Sequence, residues 1–377
     1  LPHENAAEGR VVEGIRIVAV RSLQEFVSFC KGEFLPDLQS SENNILYDAE
    51  RYDVDFSDIQ GQEPVKRASL IAAAGFHNLL LSGPPGSGKS MAAKRIPTIL
   101  PKLTPEESLE ISKIYSIVGL LSEKRPLMRC RPFRAPHHTI TAAALCGSGY
   151  RPRPGEITLA HRGVLFLDEL PEMRSATIEM LRQPLEDREI MISRAGGVFS
   201  YPASFLLVAA MNPCPCGYYP DRNRCSCSPR EVQHYQGRIS QALLDRIDLR
   251  CEVPAAEYQD LTGNGTASVS SEELRDQVQA ACLIQKERFN ESAVYFNSEM
   301  HAPDIHRFCG RSPEAERMLE AAYKSLRMSA RGYHHVLRVA RTIADLEDSG
   351  EIKEAHIAEA LCFRCEETDV LFTEGCG

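Results

Sequence analysis

Long hydrophobic runs are missing from this sequence. No stretch of 18 apolar residues occurs in its 377 positions, so neither a membrane-spanning helix nor a membrane partner is expected. The opening segment, LPHENAAEGRVVEGIRIVAV, lacks the apolar core of a secretion signal, being interrupted by Glu4, Glu8, Glu13 and Arg16. The first residue is Leu rather than Met, which reads as a fragment or a processed product. No internal repeat is present. Basic residues are in deficit, 43 Lys and Arg against 52 Asp and Glu, for a net charge of −9. That balance argues against nucleic acid as a partner of the whole surface, while a local basic face remains open.

Cysteine, by contrast, is plentiful. Several of the 13 stand singly in apolar surroundings, among them Cys30, Cys146 and Cys282. This is the usage of reduced, buried thiols and points to the cytoplasm. The length suffices for two or three domains. Residues 1–35 read as a helix or strand remnant, with Leu23, Phe26, Val27 and Cys30 on one helical stripe. Residues 36–52 are polar and read as a linker. From 53 to 254, NLLLSG, VLFLDE and FLLVAAMNP are three candidate buried strands separated by helical patterns. An α/β fold with a parallel sheet and helices on both faces follows. Residues 255–377 read as helical only. Ser270 with Glu273 forms a capping box, Ser312-Pro313 opens another helix, and Val336, Val339, Ile343 and Leu346 form the apolar stripe of a third.

The chemistry is concentrated at the strand ends. LLLSGPPGSGKS is an apolar strand followed by G-x-x-x-x-G-K-S, comprising Gly83, Pro84, Pro85, Gly86, Ser87, Gly88, Lys89 and Ser90. Glycines in this pattern let backbone N–H groups converge on phosphates at a helix N-terminus. Lys89 would neutralise the terminal phosphates of ATP, and the Ser90 hydroxyl would bind Mg²⁺. VLFLDE ends in Asp168, a second Mg²⁺ ligand, and Glu169, which would orient and deprotonate the attacking water. Asn212 ends the third strand, where its amide would meet that water or the γ-phosphate. Arg246, in LLDRIDL, suits an arginine finger facing a neighbouring subunit. The alternative is a surface arginine paired with Asp245 or Asp248.

GPPGSGKS, GVLFLDELPE, AAMNPCPCG and RISQALLDRIDL, in this order, resemble the magnesium-chelatase-like AAA+ ATPases. The string RPFRAPHHTITAAALCGSG…RPGEITLAHRGVLFLDELPE is most similar to the ComM/YifB branch. The resemblance covers about residues 53–365. It implies an AAA+ P-loop core with inserted β-hairpins and a C-terminal helical lid. It also implies a Lon-protease-like N-terminal domain of which residues 1–35 would be the last part. For function it implies a homo-hexameric ring ATPase, and for this branch a DNA helicase driving branch migration in natural transformation. Position by position, Asn212 becomes sensor one, Arg246 the finger and Arg331 the sensor-two arginine, with Arg338 its alternative. DFSDIQGQ (55–62) resembles the loop that packs on adenine, through Ile59 and Gly61. GSGYRPRPGEITLAH matches a first pore hairpin, with Arg151 and Arg153, and EDREIMISRAGGVFSYP a second, with Arg194 near its tip.

Between Lys124 and Arg162 eight basic residues face one acid, Glu156. Arginines clustered with Gly, Tyr150 and Phe133 suit a nucleic-acid backbone, the alternative being ion pairs with acids of adjacent subunits. His137-His138 reads as structural or pore-lining rather than as a metal pair, since no acid or Cys stands at ligand spacing in sequence.

CPCGYYPDRNRCSC (214–227) holds two C-x-C pairs eight residues apart. A disulfide conflicts with a cytoplasmic setting, and redox catalysis favours C-x-x-C at a helix start. Cys214, Cys216, Cys225 and Cys227 can close a tetrahedron around structural Zn²⁺, a zinc knuckle gripping DNA through Arg222, Arg224 and Arg230 being the weaker alternative. Cys362, Cys365 and Cys376 find no further ligands and are read as incidental. The leading function is therefore an ATP-driven DNA motor. A chelatase-type motor acting on a protein partner and a protein remodeller are the alternatives.

Overall fold

The computed structural model describes residues 1–3, 6, 16–33, 52–121, 127–149, 153–194, 197–255, 268–290, 292 and 294–364, without the side chains of 193 and 194. The proposed linker lies outside them except for Tyr52. The chain divides into two compact units, residues 1–51 with 102–131, and residues 52–101 with 132–377. The stretch 102–131 thus groups with the first unit rather than with the rest of 53–254.

In the first unit, Ser22 caps the helix Leu23–Cys30 by accepting from the Glu25 N–H. Its apolar stripe of Leu23, Phe26 and Val27 is exposed. The helix Pro105–Ile117 starts at a reciprocal capping box between Thr104 and Glu107, and Arg131 pairs with Glu107 at 3.0 Å.

The second unit is built on a five-stranded parallel sheet. Its strands are β1 (Leu79–Ser82), β2 (Phe133–Arg134), β5 (Val164–Leu167), β8 (Leu206–Met211) and β9 (Leu249–Glu252), in the order β2-β5-β8-β1-β9. Two antiparallel hairpins stand apart from the sheet: β3 (Gly147–Ser148) with β4 (Arg153–Pro154), and β6 (Glu189–Arg194) with β7 (Gly197–Pro202). Both coincide with the expected inserted hairpins, and Arg194 pairs with Gly197 at the end of the second.

Alternation along the strands explains the layers. Leu79, Leu81, Phe166, Val208 and Ala210 enter one core, while Leu80, Leu165, Leu167, Leu207 and Ala209 enter the other. The sheet is therefore apolar on both faces, as a parallel sheet covered by helices must be. The first core continues into the C-terminal helices. The capping box Ser270/Glu273 opens the helix Ser271–Arg288, Ser312 caps Pro313–Ser325, and Val336, Val339 and Ile343 bury the stripe of Ala330–Leu346, as expected. The α/β core with a helical C-terminal region is the observed fold. Among the described residues no helix is long and apolar enough to cross a membrane.

Candidate functional site

The segment Gly83–Ser90 leaves the carboxyl end of β1 and runs into the helix Lys89–Ile99. Gly86 and Gly88 turn through the left-handed region, at φ +78° and +91°, which glycine adopts without a Cβ penalty. Gly83 is glycine for another reason: the Val253 carbonyl oxygen would lie 2.3 Å from a Cβ there. Gly83→Ala should accordingly lower stability by about 1–3 kcal/mol, the usual range for overpacking, seen as a reduced urea midpoint.

Lys89 Nζ donates to the carbonyls of Gly83 (2.6 Å) and Pro84 (2.8 Å) and to Asn212 Oδ1 (3.2 Å). Burial pulls its pKa below the ordinary lysine value, against the opposing charge of Asp168. Ser90 Oγ donates to Asp168 Oδ2 at 2.7 Å, so the two oxygens expected to hold Mg²⁺ are already neighbours. Glu169 sits at φ +52°, and its N–H donates to Asp168 Oδ1 at 2.9 Å. This turn parts the two adjacent carboxylates. Asp168 faces Ser90, while the half-exposed Glu169 meets His138, with Nδ1 2.8 Å from Oε2. Lys89, Ser90, Asp168, Glu169 and Asn212 thus gather at the carboxyl ends of β1, β5 and β8, where parallel sheets bind ligands.

His138 has the acid partner that sequence spacing hid, because Glu169 is 31 positions away and reaches it only through the fold. Gln62 is a second residue the sequence did not flag. Its Nε2 donates to the Pro254 carbonyl at 3.0 Å and lies 3.5 Å from the Ser87 carbonyl. Of the two adenine-loop candidates, Gly61 adopts φ +60°, and Ile59 is only 2 % exposed within the core. Ile59 therefore supports that loop from beneath.

Arg246 and Arg331 stand elsewhere. Asn78, at the amino end of β1, donates through Nδ2 to the Arg246 carbonyl at 2.9 Å. The phosphate segment leaves the opposite end of β1, about 13 Å away for four residues of strand. The acid that pairs with Arg246 is Glu186, not Asp245 or Asp248. Asp248 is engaged by His335 and lies 3.7 Å from His77, and Asp245 accepts from Gln241 at 3.1 Å. Glu186 also binds Arg331 at 3.0 Å, so one carboxylate holds both arginines. Arg246 first, by its hydrogen bond, holds the Glu186 carboxyl below its usual range, with Arg331 adding to it. Arg188, Arg246, Arg331 and Arg338 line a cavity of about 580 Å³ here. Arg338 is bound within it, donating to the Ser298 carbonyl at 2.6 Å.

The four cysteines come together just past Asn212. Their sulfurs all lie within 4.8 Å of one another, with Cys214–Cys216, Cys214–Cys225 and Cys216–Cys225 at 3.3, 3.8 and 3.6 Å. Sulfurs about 2.3 Å from a tetrahedral Zn²⁺ are about 3.8 Å apart, so the set fits that ion. The N–H groups of Gly217 and Tyr219 point at Cys214 Sγ, at 3.2 and 3.4 Å. A backbone hydrogen bond from Tyr218, foremost, brings the Cys216 thiol down to about 6. Arg224 and Arg222 lie over the rings of Tyr218 and Tyr219, at 4.0 and 5.1 Å. Cys362 is exposed, and Cys365 and Cys376 fall outside the described residues.

The basic stretch is partly neutralised within the chain: Arg131 pairs with Glu107, and Arg134 with Glu156 at 2.6 Å. Arg153 is exposed. Arg151 and the Arg194 side chain lie outside the described set.

The family model described as "Magnesium chelatase, subunit ChlI" matches residues 55–261, and "Magnesium chelatase, subunit ChlI C-terminal" matches 268–364. The chain belongs to the magnesium-chelatase family of AAA+ ATPases. Within it, the chain is 40% identical to competence protein ComM of Haemophilus influenzae over 96% of its own length and 70% of the relative. It is 44% identical to the uncharacterized protein YifB of Escherichia coli, over 82% of this chain and 60% of that relative. The magnesium-chelatase 38 kDa subunit of Cereibacter sphaeroides is 26% identical over 52% of this chain and 58% of its own. This family member therefore sits in the ComM/YifB branch and spans about 60–70% of those two relatives. Membership in the family implies ATPase activity, with ATP and Mg²⁺ as its ligands.

Proposed function

We propose that this magnesium-chelatase-family chain is the motor subunit of a cytoplasmic homo-hexameric ring ATPase that moves DNA, driving branch migration in transformation and recombination. The observation that carries the reading is that Arg246 and Arg331 line one cavity with Asn78, at the end of β1 opposite the one that leads to Lys89. An arginine finger at the far end of β1 from its own phosphate loop would serve a neighbour's phosphates, and a head-to-tail interface of that kind closes into a ring.

In this reading the backbone of Gly83–Ser90 cradles the phosphates and Lys89 neutralises them. Ser90 and Asp168 hold Mg²⁺, which when bound supplies charge to the phosphate oxygens. Glu169 accepts a proton from the attacking water as the bond from the γ-phosphorus to its bridging oxygen breaks. Asn212 orients that water, and Arg246 with Arg331 serves the adjacent subunit. Cys214, Cys216, Cys225 and Cys227 hold a structural Zn²⁺. The relative named as a competence protein supports the link to transformation, and the hairpins β3–β4 and β6–β7 offer Arg151, Arg153 and Arg194 as pore contacts.

Phosphate contacts carry no sequence information, so DNA should bind without sequence preference. Arg194→Ala and, more weakly, Arg153→Ala should keep basal ATPase and ring formation but lose DNA stimulation. Their log–log salt slope should flatten by about 0.9 for each phosphate that is no longer neutralised. Salt titrations of DNA binding, with branch-migration rates, check this. An Arg194→Ala protein that moves DNA at the parental rate would remove this hairpin from the motor.

The ion pairs of Arg131 and Arg134 favour a second reading, because they withdraw charge from the proposed DNA face. A chelatase-type or remodelling ATPase would act on a protein partner instead. ATPase stimulation by forked DNA, set against stimulation by a chelatase partner, separates the two.

A further inference from the structure

The four-cysteine loop rests on the phosphate loop. A Cβ on Gly217 would lie 2.4 Å from Pro85 Cδ and 2.7 Å from Cγ, so the Gly217 backbone is already packed against that ring. The cysteines hold Gly217 there. Its N–H donates toward Cys214, to the carbonyl at 3.0 Å and to Sγ at 3.2 Å, and its φ of +86° makes the turn that brings it to Pro85. The same loop follows β8 just past the strand's end, through Asn212, whose amide oxygen accepts from Lys89. Gln236 fixes the intervening Pro213 by donating to its carbonyl at 3.1 Å.

Within the loop the Asp221 carbonyl accepts from the N–H groups of Arg224 and Cys225, and Arg222 and Arg224 lie over Tyr219 and Tyr218. The loop's own apolar cluster buries only Cys214, Cys225 and Val232, with the tyrosines and the other two cysteines partly covered. So small a cluster contributes little against the entropy of ordering fourteen residues, and a cation held by all four sulfurs would tie the two C-x-C pairs together.

We propose that the four-cysteine centre is a metal-dependent brace for the phosphate loop. With Zn²⁺ bound, Gly217 presses on Pro85 and keeps Gly83–Ser90 curled for phosphate, so metal occupancy sets nucleotide affinity. This rests on the reading of the four cysteines as zinc ligands. The mechanism is preorganisation: a loop that holds its binding shape about a tenth of the time binds about tenfold more weakly.

The test measures zinc content and Mg-ADP affinity by calorimetry on the full chain, with circular dichroism to verify folding. Four samples are compared: the zinc-loaded parent, the parent stripped with a zinc-selective chelator and desalted, the stripped parent reloaded with zinc, and zinc-loaded Gly217→Ala. Stripping should weaken Mg-ADP binding about tenfold and reloading should restore it. Gly217→Ala should keep its zinc and still lose affinity, because the added methyl displaces Pro85. Pro85→Ala serves if Gly217→Ala does not fold. Removing the ring uncouples the loops, so its affinity should no longer respond to zinc. Absence of zinc from reduced protein would overturn the metal reading itself. Zinc present, with equal affinity in loaded and stripped parent, would overturn the brace alone.

Discussion

Glu169→Gln protein should bind ATP as the parent does and hydrolyse it about 10²–10⁴-fold more slowly, the span a positioned general base contributes. The substitution preserves shape and leaves the phosphate-binding contacts untouched. Lys89 keeps its three acceptors, and Ser90 keeps Asp168 at 2.7 Å. What disappears is the one carboxylate at the strand end that is half-exposed and turned away from Ser90. Equilibrium ATP binding and single-turnover hydrolysis separate the two effects. Binding that weakens in step with turnover would assign Glu169 to holding the nucleotide rather than to activating water.

Arg246→Ala should lower turnover by about 10³–10⁵, the contribution of an arginine finger, although the change lies at the far end of β1 from Lys89. The sharper expectation concerns mixtures. In equal mixtures with Glu169→Gln protomers, about a quarter of head-to-tail interfaces would join an intact Glu169 to an intact Arg246. Activity should therefore reappear from two inactive proteins. Mixing titrations of ATPase read this directly, and absence of rescue at every ratio would assign Arg246 to its own subunit. Glu186 matters to this result because it binds Arg246 and Arg331 together. The neighbour's phosphates would have to draw both guanidinium groups from one carboxylate.

Which parts were legible in sequence depended on whether the informative residues were contiguous. The phosphate loop was legible because Gly86, Gly88, Lys89 and Ser90 stand within five positions of one another, just after a strand. The strands β1, β5 and β8 were legible because central strands of a parallel sheet are apolar on both faces. The edge strands β2 and β9 were not. One is two residues long, and the other carries Arg250 and Glu252, so neither forms an apolar run. Helix starts such as Ser270/Glu273 could be read directly, since a cap is a local hydrogen bond.

By itself, then, the sequence determined the Gly83–Ser90 loop that follows β1, the α/β class and the grouping of four thiols, all carried by neighbours along the chain. The tertiary structure alone decided that His138 meets Glu169, that Glu186 rather than Asp245 or Asp248 holds Arg246, and that Arg134 is committed to Glu156. It alone set Gly217 on Pro85, 132 positions apart in sequence. The physical reason is the reach of the interactions. Turns, caps and strand faces depend on residues a few positions apart, whereas ion pairs and loop packing act over a few ångströms of space and leave no spacing in the sequence to read.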